Sequence, residues 1–170
     1  MLKIAFGGNM GVGKDTAVEY LQLKYPQAFV TSFAEPIYEI LKFSQKMCNF
    51  RPEKDRNFLQ FIGTDWARNK DPNVWINLVL EKTKTNNYCL LSDIRFLNEL
   101  KALKENNWIC IRITRNDIEK NRCGTGDKKH ISEKELNNIP EELWDYIIQN
   151  DNDLESFYKK IDNIVEKINK

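Results

Sequence analysis

Gly8-Asn9-Met10-Gly11-Val12-Gly13-Lys14 has the residue types and spacing of a phosphate-binding loop, GxxxxGK. Glycines free the backbone to turn its N–H groups toward one anion, and a helix opening at Lys14 would add the positive end of its dipole. The lysine adds a point charge for β- and γ-phosphate oxygens. The next position departs from the common form, in which a Ser or Thr hydroxyl meets Mg²⁺: here Asp15 follows Lys14 and Thr16 comes one later. A carboxylate beside a triphosphate is repelled unless a cation or a donor lies between them. Asp15 is therefore expected to face the metal, directly or through water, or a donor on a second substrate, with Thr16 near the phosphates or a magnesium water. The plainer alternative is that Asp15 only favours the first helical turn.

Seven arginines stand against nineteen lysines, so their placement carries weight. Arg95 follows an apolar run in LLSDIRF, Arg115 closes IRITR, and Arg122 lies in a charged stretch. Three guanidiniums near a phosphate site suit phosphoryl transfer, which needs in-line positioning and cations on the oxygens more than covalent chemistry. Arg112, alternating with Ile111 and Ile113, reads as structural. Asp93, at the end of the run Cys89–Ser92, could hold a magnesium water, an arginine or a sugar hydroxyl, or simply cap a helix. The segment from Asp55 to Asn77 holds Arg56, Gln60, Trp66, Arg68 and Trp75, aromatics for a base face and polar groups for its edge. Core packing competes, favoured at Trp66 and evenly matched at Trp75.

These residues need elements to hold them. Leu2–Phe6 reads as a buried strand stopping at Gly7-Gly8, and Lys14–Lys24 as a helix ended by Pro26. Ala28–Phe33 reads as a second strand, and Pro36 opens a helix with Ile37, Ile40, Leu41 and Ser44 on one face. A helix from about Pro72 turns Trp75, Leu78 and Val79 inward. Tyr88–Ser92, Trp108–Thr114 and Trp144–Gln149 are further strands, with a helix over Phe96–Asn106. The last helix is clearest: Leu154, Phe157, Tyr158, Ile161, Ile164, Val165 and Ile168 step by threes and fours behind a cap in Asp151–Asp153. Alternating strands and helices imply a mostly parallel sheet covered on both faces, with ligands at the carboxyl ends of its strands. The candidates from the glycine loop, Asp93, Arg95 and Arg115 fall just after or at the ends of strands. Residues 116–135 are charged, poor in apolar groups and too long for an ordinary connection.

The 170 residues suit one domain and need neither disulfides nor metal for a core. A net charge of +1 argues against a nucleic-acid binder. No apolar run approaches a membrane span, and the first residues lack a signal-peptide core. Cys48, Cys89, Cys110 and Cys123 show no zinc spacing, and Cys89 and Cys110 sit in apolar runs, which fits a reducing, cytoplasmic setting.

The chain resembles the viral and phage-type deoxynucleoside monophosphate kinases of the P-loop nucleoside monophosphate kinase superfamily. The likeness is carried by GGNMGVGKDT at 7–16, SFAEPIYEIL at 32–41, FLQFIGTDWARNKDPNVWIN at 58–77, LLSDIRFLNEL at 90–100, KHISEKEL at 129–136 and IIQNDNDLESFYKKI at 147–161. Gly-Lys-Asp-Thr, Asp-x-Arg-Phe-x-Asn-Glu and His-x-Ser-Glu are its specific parts. The resemblance implies an α/β, three-layer P-loop kinase fold, with a five-stranded parallel sheet, helices on both faces and a lid, in one domain over 1–170. It implies ATP as donor, Mg²⁺, and a deoxynucleoside 5′-monophosphate as acceptor. Lys14, Arg95, Arg115 and Arg122 would be catalytic. Gly8 to Thr16 would bind ATP, with Asn150 at the adenine edge. Phe33, Gln60, Arg68, Trp75, Asp93 and Arg95 would bind the acceptor, with the acceptor-binding region at about 34–77, and about 116–135 would be the lid. Asp15, Thr16 and Asp93 would serve the metal. Partners would be small nucleotides, not nucleic acid or membrane, with a homodimer left open and a virus or phage source compatible. His130 would organise the lid. A small-molecule kinase of the phosphomevalonate or dephospho-coenzyme A type, and a non-catalytic nucleotide-binding regulator, stay as alternatives.

Overall fold

The computed structural model describes residues 2–116 and 131–169, with backbone alone for 131–134. Five strands, β1 (Leu2–Gly7), β2 (Phe29–Thr31), β3 (Tyr88–Ile94), β4 (Ile109–Thr114) and β5 (Tyr146–Gln149), form one sheet in the order β2-β3-β1-β4-β5. Every pairing is parallel, as alternating strands and helices require. The helices are α1 (Lys14–Lys24), α2 (Glu35–Met47), α3 (Arg56–Gln60), α4 (Ala67–Lys70), α5 (Val74–Thr83), α6 (Leu97–Glu105), α7 (Ile131–Asn138) and α8 (Leu154–Ile168). A π-helical segment, Phe61–Trp66, joins α3 to α4.

Strand alternation divides the core in two. Leu2, Ile4 and Phe6 of β1 point to one face with Leu90, Ile111 and Ile113, where Val18 and Leu21 of α1 and Phe157, Ile161 and Val165 of α8 cover them. Ala5, Cys89, Leu91 and Cys110 point to the other face, under Trp75, Ile76, Val79, Leu100, Leu103 and Trp108. This is the three-layer arrangement expected. Asp153 caps α8 by accepting from Ser156 N–H at 2.8 Å. Among the described residues no helix is long and apolar enough to cross a membrane.

Several boundaries differ from expectation for identifiable reasons. β2 stops at Thr31 because the N–H groups of Phe33 and Ala34 turn to the Asp93 carboxylate instead of a neighbouring strand. β3 runs on to Ile94, so Asp93 lies inside it. β5 begins at Tyr146, because Trp144 N–H closes a tight turn on Glu141 C=O and Asp145 exchanges hydrogen bonds with Cys110. α5 begins at Val74, after Asp71 accepts from the N–H groups of Asn73 and Val74. Leu78 and Leu154, expected inward, are exposed.

Candidate active site

The glycine loop bridges β1 and α1, and its path is shaped by its neighbours. Gly8 has φ +147°, and a Cβ there would stand 2.2 Å from the Ile113 carbonyl oxygen of β4. Gly13 has φ +110°, and its Cβ would stand 2.8 Å from Asn150 Nδ2. Both positions therefore need glycine for conformation and for space. No side chain caps α1, which leaves its leading N–H groups for an anion. Lys14 Nζ folds back to donate to Asn9 C=O at 2.8 Å, setting the ammonium in the curve of the loop. Val12 is buried, while Met10 and Gly11 are exposed.

Asn150 has a structural task at the loop. Its backbone N–H donates to Thr114 C=O, and its buried Nδ2 donates to Val12 C=O at 2.8 Å. Through that bond the amide group holds the loop from the end of β5.

Beside the loop, Ser92 Oγ donates to Asp15 Oδ1 at 2.9 Å, tying the start of α1 to β3. Asp93 accepts from Phe33 N–H at 3.0 Å and from Ala34 N–H at 2.9 Å, one on each oxygen. Burial raises its pKa; the two N–H bonds and the nearby Arg95 and Lys14 charges oppose that. Among the described residues no group of three or more His, Cys, Asp or Glu could hold an ion unaided. Asp15, Thr16 and Asp93 carry oxygens of the kind Mg²⁺ takes, an ion that keeps its waters and relies on one or two carboxylates plus substrate phosphates; each Asp93 oxygen already accepts one N–H.

Within Asp-x-Arg-Phe-x-Asn-Glu, the side chains of Asp93, Asn98 and Glu99 are each engaged with specific partners. Glu99, 1% exposed, accepts from Arg95 N–H at 2.7 Å and Phe96 N–H at 3.0 Å through one oxygen. Its other oxygen pairs with the Arg68 guanidinium, which lies 4.1 Å from the Phe96 ring centroid and also reaches Pro72 C=O. Asn98 Nδ2 donates to Pro72 C=O and to Asn73 Oδ1. Burial pushes the Glu99 pKa up to about 7, against the pull of Arg68 and the two N–H bonds. Glu99 was missed as a site residue. Its signal was a Glu set among apolar residues in DIRFLNEL, a position that tends to be buried and paired.

The acceptor-side candidates separate. Arg68 is held by Glu99, as described. Trp75 is 3% exposed, and its Nε1–H donates to Gly63 C=O at 2.8 Å, so the indole is core and cannot offer a face to a base. Phe33 is buried too, and what it brings to the strand ends is its backbone N–H. Trp66, for which core packing was favoured, is 47% exposed because the π-helical segment rotates it outward. Gln60 is half-buried at the end of α3. Arg112 donates to Ile139 C=O, the structural role expected. Arg115, just past β4, has a buried Nε with no hydrogen-bond partner among the described residues. Arg122 and His130, with most of the expected lid, lie outside the described residues.

Comparison with known proteins places the chain. The family model described as deoxynucleotide monophosphate kinase matches residues 53–161. A protein of Acanthamoeba polyphaga mimivirus, provisionally named a deoxynucleotide monophosphate kinase, is 27% identical over 200 residues, spanning 98% of this chain and 97% of its own. An uncharacterised protein of Ictalurid herpesvirus 1 is 32% identical over 105 residues, 59% of this chain and 45% of its own. Among solved structures, a dephospho-CoA kinase from Campylobacter jejuni superposes with TM-score 0.59 at 14% identity, covering 98% of this chain and 96% of that one. A shikimate kinase from Bacteroides thetaiotaomicron gives 0.56 at 11%, covering 99% of each. Likeness at such identities shows the α/β kinase fold and leaves the substrate open.

Proposed function

The chain belongs to the deoxynucleotide monophosphate kinase family, and from that premise we propose that it transfers the γ-phosphoryl group of ATP to a deoxynucleoside 5′-monophosphate, giving the diphosphate and ADP. The observation that carries this reading is the meeting, at the carboxyl ends of the central strands β1 and β3, of a glycine loop with Lys14 and the Asp93–Arg95 segment, whose Asp93 reaches back to Phe33 and Ala34.

In this reading the loop N–H groups and Lys14 hold the β- and γ-phosphates. Arg95 meets the acceptor phosphate, with Gln60 further along the acceptor side. Arg115 meets charge that spreads onto the transferred group. Arg122 joins it on the strength of the family resemblance. Asp15, Thr16 and Asp93 would hold Mg²⁺ through its waters, and the metal when bound would neutralise phosphate charge. No general base is called for, because the attacking phosphate oxygen is already ionised. The arrangement contributes by alignment and by fixed positive charge, which are the terms in-line transfer depends on.

The test is ATP-to-ADP turnover with Mg²⁺ against deoxynucleotides, ribonucleotides, phosphomevalonate and dephospho-coenzyme A. Stimulation by at least one deoxynucleotide is expected. Lys14→Ala should cut turnover by roughly 100-fold or more while the melting temperature holds; a K14A variant that still turns over sinks the assignment. Stimulation only by phosphomevalonate or dephospho-coenzyme A would move the chain to another substrate class. ATP binding without any stimulating acceptor would favour a regulatory role.

A further inference from the structure

We propose that Glu99 is the positioning residue of the acceptor side: its single carboxylate ties the 56–70 arm, through Arg68, to the turn that carries Arg95. The proposal rests on the acceptor reading above for Arg95, but its geometry stands independently.

Glu99 sits on the first turn of α6, where a carboxylate reaches back to the N–H of the residue before the helix, as in half a capping box. Here it does more. One oxygen takes the N–H groups of both Arg95 and Phe96, so it fixes the backbone from which the Arg95 side chain departs. The other oxygen takes Arg68, contributed by α4 at the far end of the arm. The Arg68 guanidinium is covered by the Phe96 ring, and its side chain is only 12% exposed. Asn98 adds a parallel tie from the same helix to Pro72 and Asn73, at the base of α5. The arm and the Arg95 turn are thus joined through one buried group.

The chemistry of the three partners explains why this group must be a carboxylate. Arg68 Nη2–H, Arg95 N–H and Phe96 N–H are all donors. A carboxylate offers acceptors on both sides, whereas a glutamine offers one oxygen and one NH₂. In either orientation of a glutamine, NH₂ would face a donor. Glu99→Gln should therefore loosen either Arg68 or the Arg95 turn while changing the volume hardly at all. If Arg68 becomes apolar as well, the glutamine oxygen can serve the two backbone N–H groups without that conflict.

The experiment measures acceptor KM, ATP KM and kcat for wild type, E99Q, R68M and R68M/E99Q, using a deoxynucleotide that stimulates turnover. It also follows amide hydrogen exchange over 56–70 and over the strands. E99Q is expected to raise acceptor KM roughly 10- to 100-fold, the scale of a small misplacement at a reacting group, with ATP KM unchanged within experimental scatter. R68M/E99Q is expected to bind the acceptor no worse than R68M. Exchange in E99Q should quicken over 56–70 and not over β1, β3 and β4. Equal changes in both KM values, an unchanged acceptor KM, or an E99Q penalty of the same size in the R68M background would each overturn the proposal. Uniformly quickened exchange would reduce Glu99 to a stability residue and overturn it too. If E99Q does not fold, R68M/E99Q should, since it has no facing donors; a double variant that also fails counts against the proposal. If wild type phosphorylates no deoxynucleotide, the activity reading falls by itself, and the exchange pattern alone decides the positional claim.

Discussion

At Glu99 folding and ligand positioning make opposite demands on one proton. The carboxylate must be ionised to accept from three donors, yet burial favours its neutral form. Arg68 faces it as a cation and Asp93 as a nearby anion, and burial prevails, lifting the pKa from 4.5 to about 7. A folded-state value above the unfolded one means that, between those two pH values, the folded chain keeps a proton the unfolded chain has lost. The stability from this group is thus present below about pH 4.5 and lost as pH rises through about 7. Thermal melts of wild type and E99Q at matched pH isolate it from other titrations. The stability of wild type relative to E99Q should be highest near the acid end and fall toward pH 8; a constant difference would show that Glu99 does not titrate in this window. Motif spacing made the placement of Lys14, Asp15, Asp93 and Arg95 legible, because loop and strand end are local features. Glu99 and Asn150 were not legible as to role. Their partners, Arg68 and Val12, lie 31 and 138 positions away.

Among the elements, α1 matched its expected bounds, and α8 buries Phe157, Ile161, Ile164 and Val165 on the face its spacing marked. In α8 a long apolar period and the Asp153 side-chain cap specify the helix locally. The stretch 56–70 is the counter-example. Core packing was favoured for its Trp66, but the chain widens into a π-helical turn over Phe61–Trp66, in which Phe61 and Trp66 are exposed. A widened turn shifts the hydrogen-bond register and leaves carbonyls to be satisfied from outside. Trp75 does this for Gly63, with an indole N–H that only the folded α5 brings within reach. Trp75→Phe would keep one aromatic ring, leave that carbonyl without its donor and open a small cavity, for a cost of at least about 1–3 kcal/mol. Urea denaturation should show the loss as a lower midpoint at unchanged slope. An unchanged midpoint would mean the wide turn is held by other contacts.

At the scale of the whole molecule, the site exists because β1 stands between β3 and β4, with strand ends from both halves of the chain meeting around one loop. Asn150 shows the consequence, since it holds the Val12 carbonyl from the end of β5 on the opposite side of the sequence. Asn150→Ala should cost about 1–2 kcal/mol in stability through the lost bond. It should also weaken ATP binding roughly 10-fold while leaving acceptor KM near wild type, since an anion site depends on where its N–H groups point. Calorimetric titration with ATP checks this, and unchanged affinity would mean the loop holds its shape alone. The alternation of strands and helices, the parallel sheet, the loop chemistry and the family likeness were all written in the order of residue types, because they rest on periodicities and spacings within about a dozen positions. Strand order, the burial of Trp75, the outward turn of Trp66 and the two clamps at Glu99 and Asn150 were decided only when distant segments packed. A buried acceptor or donor is satisfied by whichever group the fold carries to it, and no local pattern names that group in advance.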